Sequence, residues 1–249
     1  MGGDNAEVRK GPRLRNVTTV RPGGTESSLH PTLEFERDTL VKGNGEVDIH
    51  RANLTYDGIQ KIEGFIFRKS IDLDATASVR EALEQWRDIK TVKDGLRQTG
   101  QSGFNIPKTV RGVISHDGVT GILMSDLTEG GKNEVIDLKQ LRMGEHPFKI
   151  SREQMEGIRT AVIQDMDIAK RFNIKLVSGS SGLDPWMVIL NKKTGDWNLC
   201  IVDIGKYTSK TNDPFVISGE RTNDPEELYK KGRSAIDKLC ADVYAVQAS

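Results

Sequence analysis

The stretch of sequence that decides the fold is Ile106-Pro-Lys-Thr-Val-Arg-Gly-Val-Ile-Ser-His-Asp-Gly-Val-Thr-Gly-Ile-Leu-Met-Ser-Asp-Leu127. It contains two runs rich in β-branched and aliphatic residues, Lys108–Ile114 and Gly121–Met124, and this composition favours strands. Between them lies His116-Asp-Gly118, a turn signal, because glycine readily adopts the backbone conformations that tight turns need. The stretch therefore predicts two consecutive strands.

The residues before this stretch predict three further strands and one helix. The three short runs Thr39–Val41, Glu46–Ile49 and Gly64–Phe67 have strand composition. Gly43-Asn-Gly45 separates the first two as a hairpin turn. Ser78 and Glu81 form a capping-box pair in front of apolar residues that recur every three or four positions, which predicts a helix over 78–95. The first half should thus hold five strands and one helix.

The second half of the chain has a different pattern, dominated by helices. Ser151 and Gln154 form a second capping-box pair, and the apolar stripe behind them predicts a long helix over 151–172. A hairpin is predicted over 186–204, and Pro225 opens a terminal helix over 225–245. Residues 1–32, rich in Gly, Arg, Ser, Thr and Pro, are expected to form a flexible tail. The remaining chain divides into 33–127 and 128–249.

Composition and charge exclude several classes of partner. The chain has 249 residues, with 36 Lys plus Arg and 36 Asp plus Glu, so its formal net charge is zero. No global basic field exists to hold nucleic acid or an anionic membrane. The apolar runs, such as Trp186–Leu190, are far shorter than the ~20 residues of a membrane span. The first residues lack the apolar segment of a secretory signal, so we expect a cytoplasmic or otherwise intracellular protein.

This order of elements resembles the protein-kinase-like fold, in particular its aminoglycoside-phosphotransferase and fungal kinase-like branch, over about residues 33–243. The resemblance implies an α+β fold with two lobes. The N-terminal lobe would be a five-stranded antiparallel sheet with one helix. The C-terminal lobe would be reduced and mostly helical, because few residues follow Gly205.

The resemblance also implies residues that bind the phosphates of ATP. Gly43 and Gly45 resemble the start of a glycine-rich loop that closes over the phosphates. The strand Phe65-Ile-Phe-Arg-Lys69 resembles the one that carries a phosphate-binding lysine. If Phe65 and Phe67 fill the apolar face, Arg68 takes that position, and a shift of one residue would instead select Lys69. Glu81, with Glu84 as a rival, resembles the glutamate that pairs with this basic residue.

Two more groups complete the implied ATP and Mg²⁺ site. Met124, Asp126 and Leu127 resemble the hinge whose backbone N–H and C=O groups meet the adenine edge. Asp203-Ile-Gly205 resembles the motif whose aspartate holds the Mg²⁺ that bridges phosphate oxygens.

The catalytic loop departs from the family pattern. Gly182 falls where the family has its base aspartate, and Met187 falls where it has a metal-binding asparagine. Glycine cannot accept a proton, and a thioether is a poor ligand for the hard Mg²⁺ ion. Asp184 is the only nearby carboxylate, and it is either an alternative catalytic base or the cap of an Asp-Pro turn.

The departures favour a degenerate kinase-like domain, a pseudokinase, that acts by binding, either of a partner protein or of nucleotide as a structural ligand. One alternative is an active ATP-dependent phosphotransferase or protein kinase that uses Asp184 as base and Asp203 on Mg²⁺. Another is a two-domain binding protein unrelated to kinases. None of these hypotheses includes a nucleic-acid or membrane partner.

Overall fold

The computed structural model describes residues 13–43, 48–56, 60–69, 75–143, 150–172, 174, 176, 183, 185–202 and 225–248. The chain divides into two compact units. Unit 1 comprises 1–84 and 108–126, and unit 2 comprises 85–107 and 127–249.

Unit 1 is built on a seven-stranded antiparallel sheet. Its strands along the chain are β1 (Arg13–Leu14), β2 (Thr18–Val20), β3 (Thr32–Gly43), β4 (Asp48–Tyr56), β5 (Gln60–Lys69), β6 (Val110–Ile114) and β7 (Thr120–Ser125). Their order in the sheet is β1-β3-β4-β5-β7-β6-β2. The central strand β5 is therefore paired on both sides, with β4 and with β7.

One face of this sheet carries the core of unit 1. Phe65 and Phe67, two residues apart on β5, are 7% and 1% exposed, so they lie on the same buried face. Because successive strand residues point to opposite faces, the residues opposite them in the register share that face. The other members of the buried cluster are Val17, Leu33, Ala52, Leu54, Val113 and Leu123.

The helix α1 (Ala75–Gln98) follows β5 and precedes β6. Within unit 1, its Val79 and Leu83 pack over Gly112 of β6. A Cβ atom at Gly112 would lie 2.8 Å from a carbon of each of these side chains. The glycine therefore allows the helix to approach the sheet closely.

Unit 2 combines helices with a second, three-stranded antiparallel sheet of order β10-β9-β8. The strands are β8 (Asn133–Asp137), β9 (Trp186–Asn191) and β10 (Trp197–Ile201), and the helices are α2 (Leu138–Met143), α3 (Arg152–Arg171) and α4 (Pro225–Ala248). The capping box predicted for α3 is confirmed. The Ser151 hydroxyl accepts from the Gln154 N–H at 3.1 Å, and the Gln154 side-chain oxygen accepts from the Ser151 N–H at 2.8 Å.

Polar contacts join α3 to α4 at the surface of unit 2. Arg159 Nε lies 2.7 Å from Asp237 Oδ1, and the Tyr244 hydroxyl donates to Glu156 Oε1 at 2.6 Å. The buried side of the pair includes Ile158 and Val162 of α3 and Ile236 of α4. None of the described helices combines the length and the apolar character that crossing a bilayer would require.

The predicted fold class is wrong. The first sheet has seven strands instead of five, and the second half contains a three-stranded sheet instead of being mostly helical. Two of the extra strands, β1 and β2, come from residues 13–20, inside the segment expected to be a flexible tail. They are two and three residues long, too short for a periodic pattern, yet Val17 between them and Val20 in β2 are fully buried.

The remaining extra strand, β8, also had no recognisable signal. Its sequence Asn133-Glu-Val-Ile-Asp137 is polar at three of five positions, and only Ile136 is buried. The other element bounds differ slightly from those expected. Helix α1 covers 75–98 where 78–95 was predicted, α3 covers 152–171 where 151–172 was predicted, and α4 covers 225–248 where 225–245 was predicted.

A pair of glycine substitutions tests the helix packing in unit 2. A Cβ atom at Gly157 of α3 would lie 2.6 Å from the Trp197 ring, whereas Gly95 of α1 has open space. We expect Gly157→Ala to destabilise the protein by about 1–3 kcal/mol through overpacking. The control Gly95→Ala should stabilise it by up to about 1 kcal/mol, since alanine is the better helix former. Urea unfolding measures both, and equal stabilisation by the two variants would contradict the tight contact.

Candidate functional site

The register of β5 gives the strand partners of the two basic candidates, Arg68 and Lys69. Arg68 is opposite Ile122 of β7, and Ile122 is opposite Gly112 of β6, the glycine beneath α1. Lys69 is opposite Gly121. Phe65 and Phe67 are buried, whereas the side chains of Arg68 and Lys69 lie outside the part of the chain that the structure describes.

Glu81 lies on α1 and is half-buried, while Glu84 one turn further along is exposed. Burial, and secondly the nearby Glu84 carboxylate, raise the pKa of Glu81. A strong ion pair with a lysine or arginine would lower the pKa of this carboxyl. The raised pKa of Glu81 is therefore the opposite of the effect expected for the glutamate partner of a basic strand residue.

The three hinge candidates lie at the end of β7 and just after it. Met124 is in β7, opposite Ile66 of β5 and Val110 of β6. In unit 1, the Asp126 N–H donates to the Gly64 carbonyl at 2.7 Å. In unit 2, the Leu127 carbonyl accepts from Asn133 Nδ2 at 3.0 Å. A backbone N–H forms one strong hydrogen bond, so the Asp126 N–H could meet an adenine edge only by leaving Gly64.

The Asp126 side chain is also engaged. Its Oδ2 lies 3.5 Å from Nε of Arg51 on β4, and only 6% of the side chain is exposed. The arginine side chain is itself 40% exposed, so water reaches the pair from the arginine side. This ion pair links β4 to the residue that follows β7.

Several predicted site residues lie outside the described residues. They are Gly45, the catalytic candidate Asp184 and the metal candidate Asp203. Gly43 is described and is the last residue of β3. The immediate neighbours of the two aspartates are described as well. Pro185 follows Asp184 and Val202 precedes Asp203, and the Val202 N–H donates to the Pro185 carbonyl at 2.8 Å.

These neighbours belong to one end of the unit 2 sheet, which we call the β9–β10 end: Pro185, Trp186, Ile201 and Val202. Trp186 is opposite Ile201 in the register, and both are buried. The Trp186 N–H donates to the Leu183 carbonyl at 3.3 Å, which holds the chain where it enters β9. This end is the part of the described structure closest in sequence to both predicted carboxylates.

Asn105 holds the outer edge of β10 at this end. Its Nδ2 donates to the Leu199 carbonyl at 2.8 Å, and its own carbonyl accepts from the Ile201 N–H at 2.9 Å. Phe104, the residue before it, is 1% exposed and anchors the segment. The pair of bonds covers an edge that would otherwise present free backbone groups. Nothing in the sequence around Asn105 indicated this role, because its partners are more than ninety residues away.

Asp165 of α3 reaches the β9–β10 end from the helix side. Its Oδ2 accepts from the indole Nε1–H of Trp186 at 2.9 Å, and the residue is only 9% exposed. Burial raises the pKa of Asp165 to about 7, partly offset by the indole bond, which lowers it. The sequence held a signal for this residue, since Asp165 falls within the apolar stripe of α3, between Val162 and Ala169.

Cys200 of β10 is also buried near this end. Burial raises the pKa of its thiol to about 12, and the Asp165 charge contributes in the same direction. The thiol is therefore protonated at neutral pH, whereas a nucleophilic or metal-binding cysteine needs its thiolate form. Cys200 acts as an apolar packing residue.

Met187, at the position where the resemblance expects a metal-binding asparagine, lies in the central strand β9. It is opposite Asp137 of β8 and Cys200 of β10. Asp137 caps α2, because its Oδ1 accepts from the Gln140 N–H at 3.3 Å. Within the ranges that the structure describes, no group of three His, Cys, Asp or Glu side chains could hold a metal ion.

Comparison of the chain with protein-family models, with curated proteins and with solved structures finds no match in any of the three.

The role of Asn105 can be tested by removing its side-chain amide. We expect Asn105→Ala to destabilise the protein by about 1–2 kcal/mol, because the part-buried Leu199 carbonyl loses its donor. Hydrogen exchange of the amides in 199–202 should become faster than in the wild type.

A matched control is Asn133→Ala, which removes the amide bonded to the Leu127 carbonyl in the same unit. Exchange at 199–202 should be unchanged in this control. Equal acceleration in both variants would indicate a general loosening of unit 2, and would contradict a specific role of Asn105 at β10.

Proposed function

We propose that this chain is a degenerate kinase-like domain that acts by binding a partner protein, with nucleotide as a structural ligand, and that it does not transfer phosphoryl groups. The observation that carries the proposal is the position of Met187. It lies in the central strand of the unit 2 sheet, between Asp137 and Cys200, where the resemblance calls for an amide oxygen. A thioether there is a poor Mg²⁺ ligand.

The nature of the missing groups separates binding from chemistry. A general base typically contributes a factor of ~10²–10⁴ to a rate, mainly in the transition state. Gly182 stands where the base is expected and Met187 where a metal ligand is expected, whereas Arg68 and Asp203, which the resemblance assigns to nucleotide binding, are kept in the sequence. A domain with these replacements keeps its capacity to bind and loses its capacity to accelerate the reaction.

The arrangement of unit 1 supports the nucleotide part of the proposal. β3, β4 and β5 precede α1, and β6 and β7 follow it, which is the order along the chain that the resemblance implies. Phe65 and Phe67 are both buried, which is the condition under which the sequence pattern selects Arg68 as the phosphate-binding residue. The planar fork of a guanidinium suits phosphate oxygens, which supports this choice.

A second candidate function, a two-unit binding protein without nucleotide, has an observation of its own. The Asp126 N–H is bonded to Gly64, and the Leu127 carbonyl is bonded to Asn133, so two of the expected adenine contacts are already used inside the chain. Under this candidate, partner binding is the whole function.

Thermal unfolding with and without ATP and Mg²⁺ tests the nucleotide part. A ligand selective for the folded state stabilises it by RT ln(1 + [L]/Kd), about 2.7 kcal/mol at 100 times Kd. We expect millimolar ATP to raise Tm of the wild type and of Lys69→Ala, and to leave Tm of Arg68→Ala unchanged. Loss of the shift in Lys69→Ala alone would contradict the register argument.

Transfer of labelled γ-phosphate from ATP tests the absence of chemistry. We expect no turnover above the background hydrolysis of ATP. Turnover that disappears in Asp184→Ala would instead establish the active phosphotransferase with Asp184 as base and Asp203 on Mg²⁺. No thermal shift in the wild type at millimolar ATP would favour the second candidate, a binding protein without nucleotide.

A further inference from the structure

Asp165 is a carboxyl group in apolar surroundings with an uncharged partner. On α3 it is flanked by the buried residues Val162, Met166 and Ala169, and it is itself only 9% exposed. Its hydrogen-bond donor is the indole of Trp186, at 2.9 Å. An indole N–H carries no positive charge, so it satisfies the oxygen without neutralising a carboxylate.

The groups that face Asp165 from neighbouring elements are also uncharged. From β9 it contacts the Trp186 indole, and on β10 the charge of Asp165 acts on the buried Cys200 thiol and raises its pKa. Lys93 of α1 acts on the thiol of Cys200. Among the residues that the structure describes, no lysine, arginine or histidine forms an ion pair with Asp165.

Such a carboxyl changes its charge near neutral pH. Burial penalises the charged form and raises the pKa of Asp165 from 3.8 to about 7. The indole bond acts in the opposite direction, because a carboxylate oxygen is the stronger acceptor, but burial is the larger effect. Below this pH a neutral carboxyl is compatible with a dry environment, and above it the carboxylate gains by reaching water.

We propose that Asp165 and Trp186 form a proton-operated latch, closed when the carboxyl is neutral and loosened when the carboxylate forms and takes up water. Trp186 is the first residue of β9 and is 2% exposed, so its ring is the anchor of that strand on α3. Loosening the latch would release the β9–β10 end, including the hydrogen bond from the Trp186 N–H to the Leu183 carbonyl. This regulatory device does not depend on nucleotide or on any catalytic role.

The sign of the pH dependence follows from the raised pKa. The contribution of Asp165 to the stability of the folded state is fully present below pH 3.8, where the carboxyl is neutral. It is lost as the pH rises through about 7 and the carboxylate forms. In Asp165→Asn the amide oxygen still accepts from the indole but carries no charge. Relative to this variant, the folding equilibrium constant of the wild type should fall by about 100-fold between about pH 5 and pH 8.

Nuclear magnetic resonance on the full chain tests the latch directly, without any variant. The side-chain carboxyl carbon of Asp165 and the indole N–H of Trp186 are followed from about pH 5 to pH 9. Both signals should titrate with one shared midpoint near 7. The indoles of Trp86 and Trp197 are the internal controls, and their signals should not follow this titration.

Two variants complete the test. In Asp165→Asn the Trp186 signal should no longer titrate. In Trp186→Phe the carboxyl midpoint should rise further, because the bond that favours the carboxylate is lost. A wild-type midpoint below about pH 5, an indole signal that stays constant, or a titration that persists in Asp165→Asn would each overturn the proposal. If Asp165→Asn does not fold, the carboxyl midpoint of the wild type still decides.

Discussion

The alternation of side chains along β5 is the constraint on which most of unit 1 depends. Residues 65–68 of β5 are paired on both sides, with β4 and with β7. Burial of Phe65 and Phe67 selects one face for the core. A slip that brought Arg68 to the position of the buried Phe67 would cost several kcal/mol. Burial of the two phenylalanines therefore favours the observed register of β5.

In unit 2, polar contacts fix the position of the β9–β10 end. The β9–β10 end is fixed by the Asn105 amide on one edge, by the Val202–Pro185 backbone bond across the strands, and by the Asp165–Trp186 bond from α3. Each of these contacts brings together residues that are distant in sequence. Buried polar contacts specify one arrangement because an unpaired group in the same place would be costly. Apolar packing alone would tolerate more than one position of β9 on α3.

Some elements and contacts could be predicted from the sequence and others could not, and the reason is physical. Elements with a long periodic pattern, such as α3 with its Ser151 cap and β5 with its phenylalanines, were predictable, because each turn or residue pair repeats the same signal. β1, β2 and β8 are short and mostly polar, so their existence depends on pairing with distant strands. The roles of Asn105 and Asp165 depend on partners from other elements, although the place of Asp165 within an apolar stripe was a visible anomaly.

The position of Met187 in β9 suits an apolar side chain. The residues of β9 alternate between fully buried and half-buried, and Met187 belongs to the half-buried set. A methionine there fits the register and packs readily beside neighbouring strands, because its side chain is flexible and apolar. An asparagine would offer an amide oxygen to a cation but would add little to packing. Under the proposed function, methionine at this position would supply no ligand for Mg²⁺, while its packing would still suit the sheet.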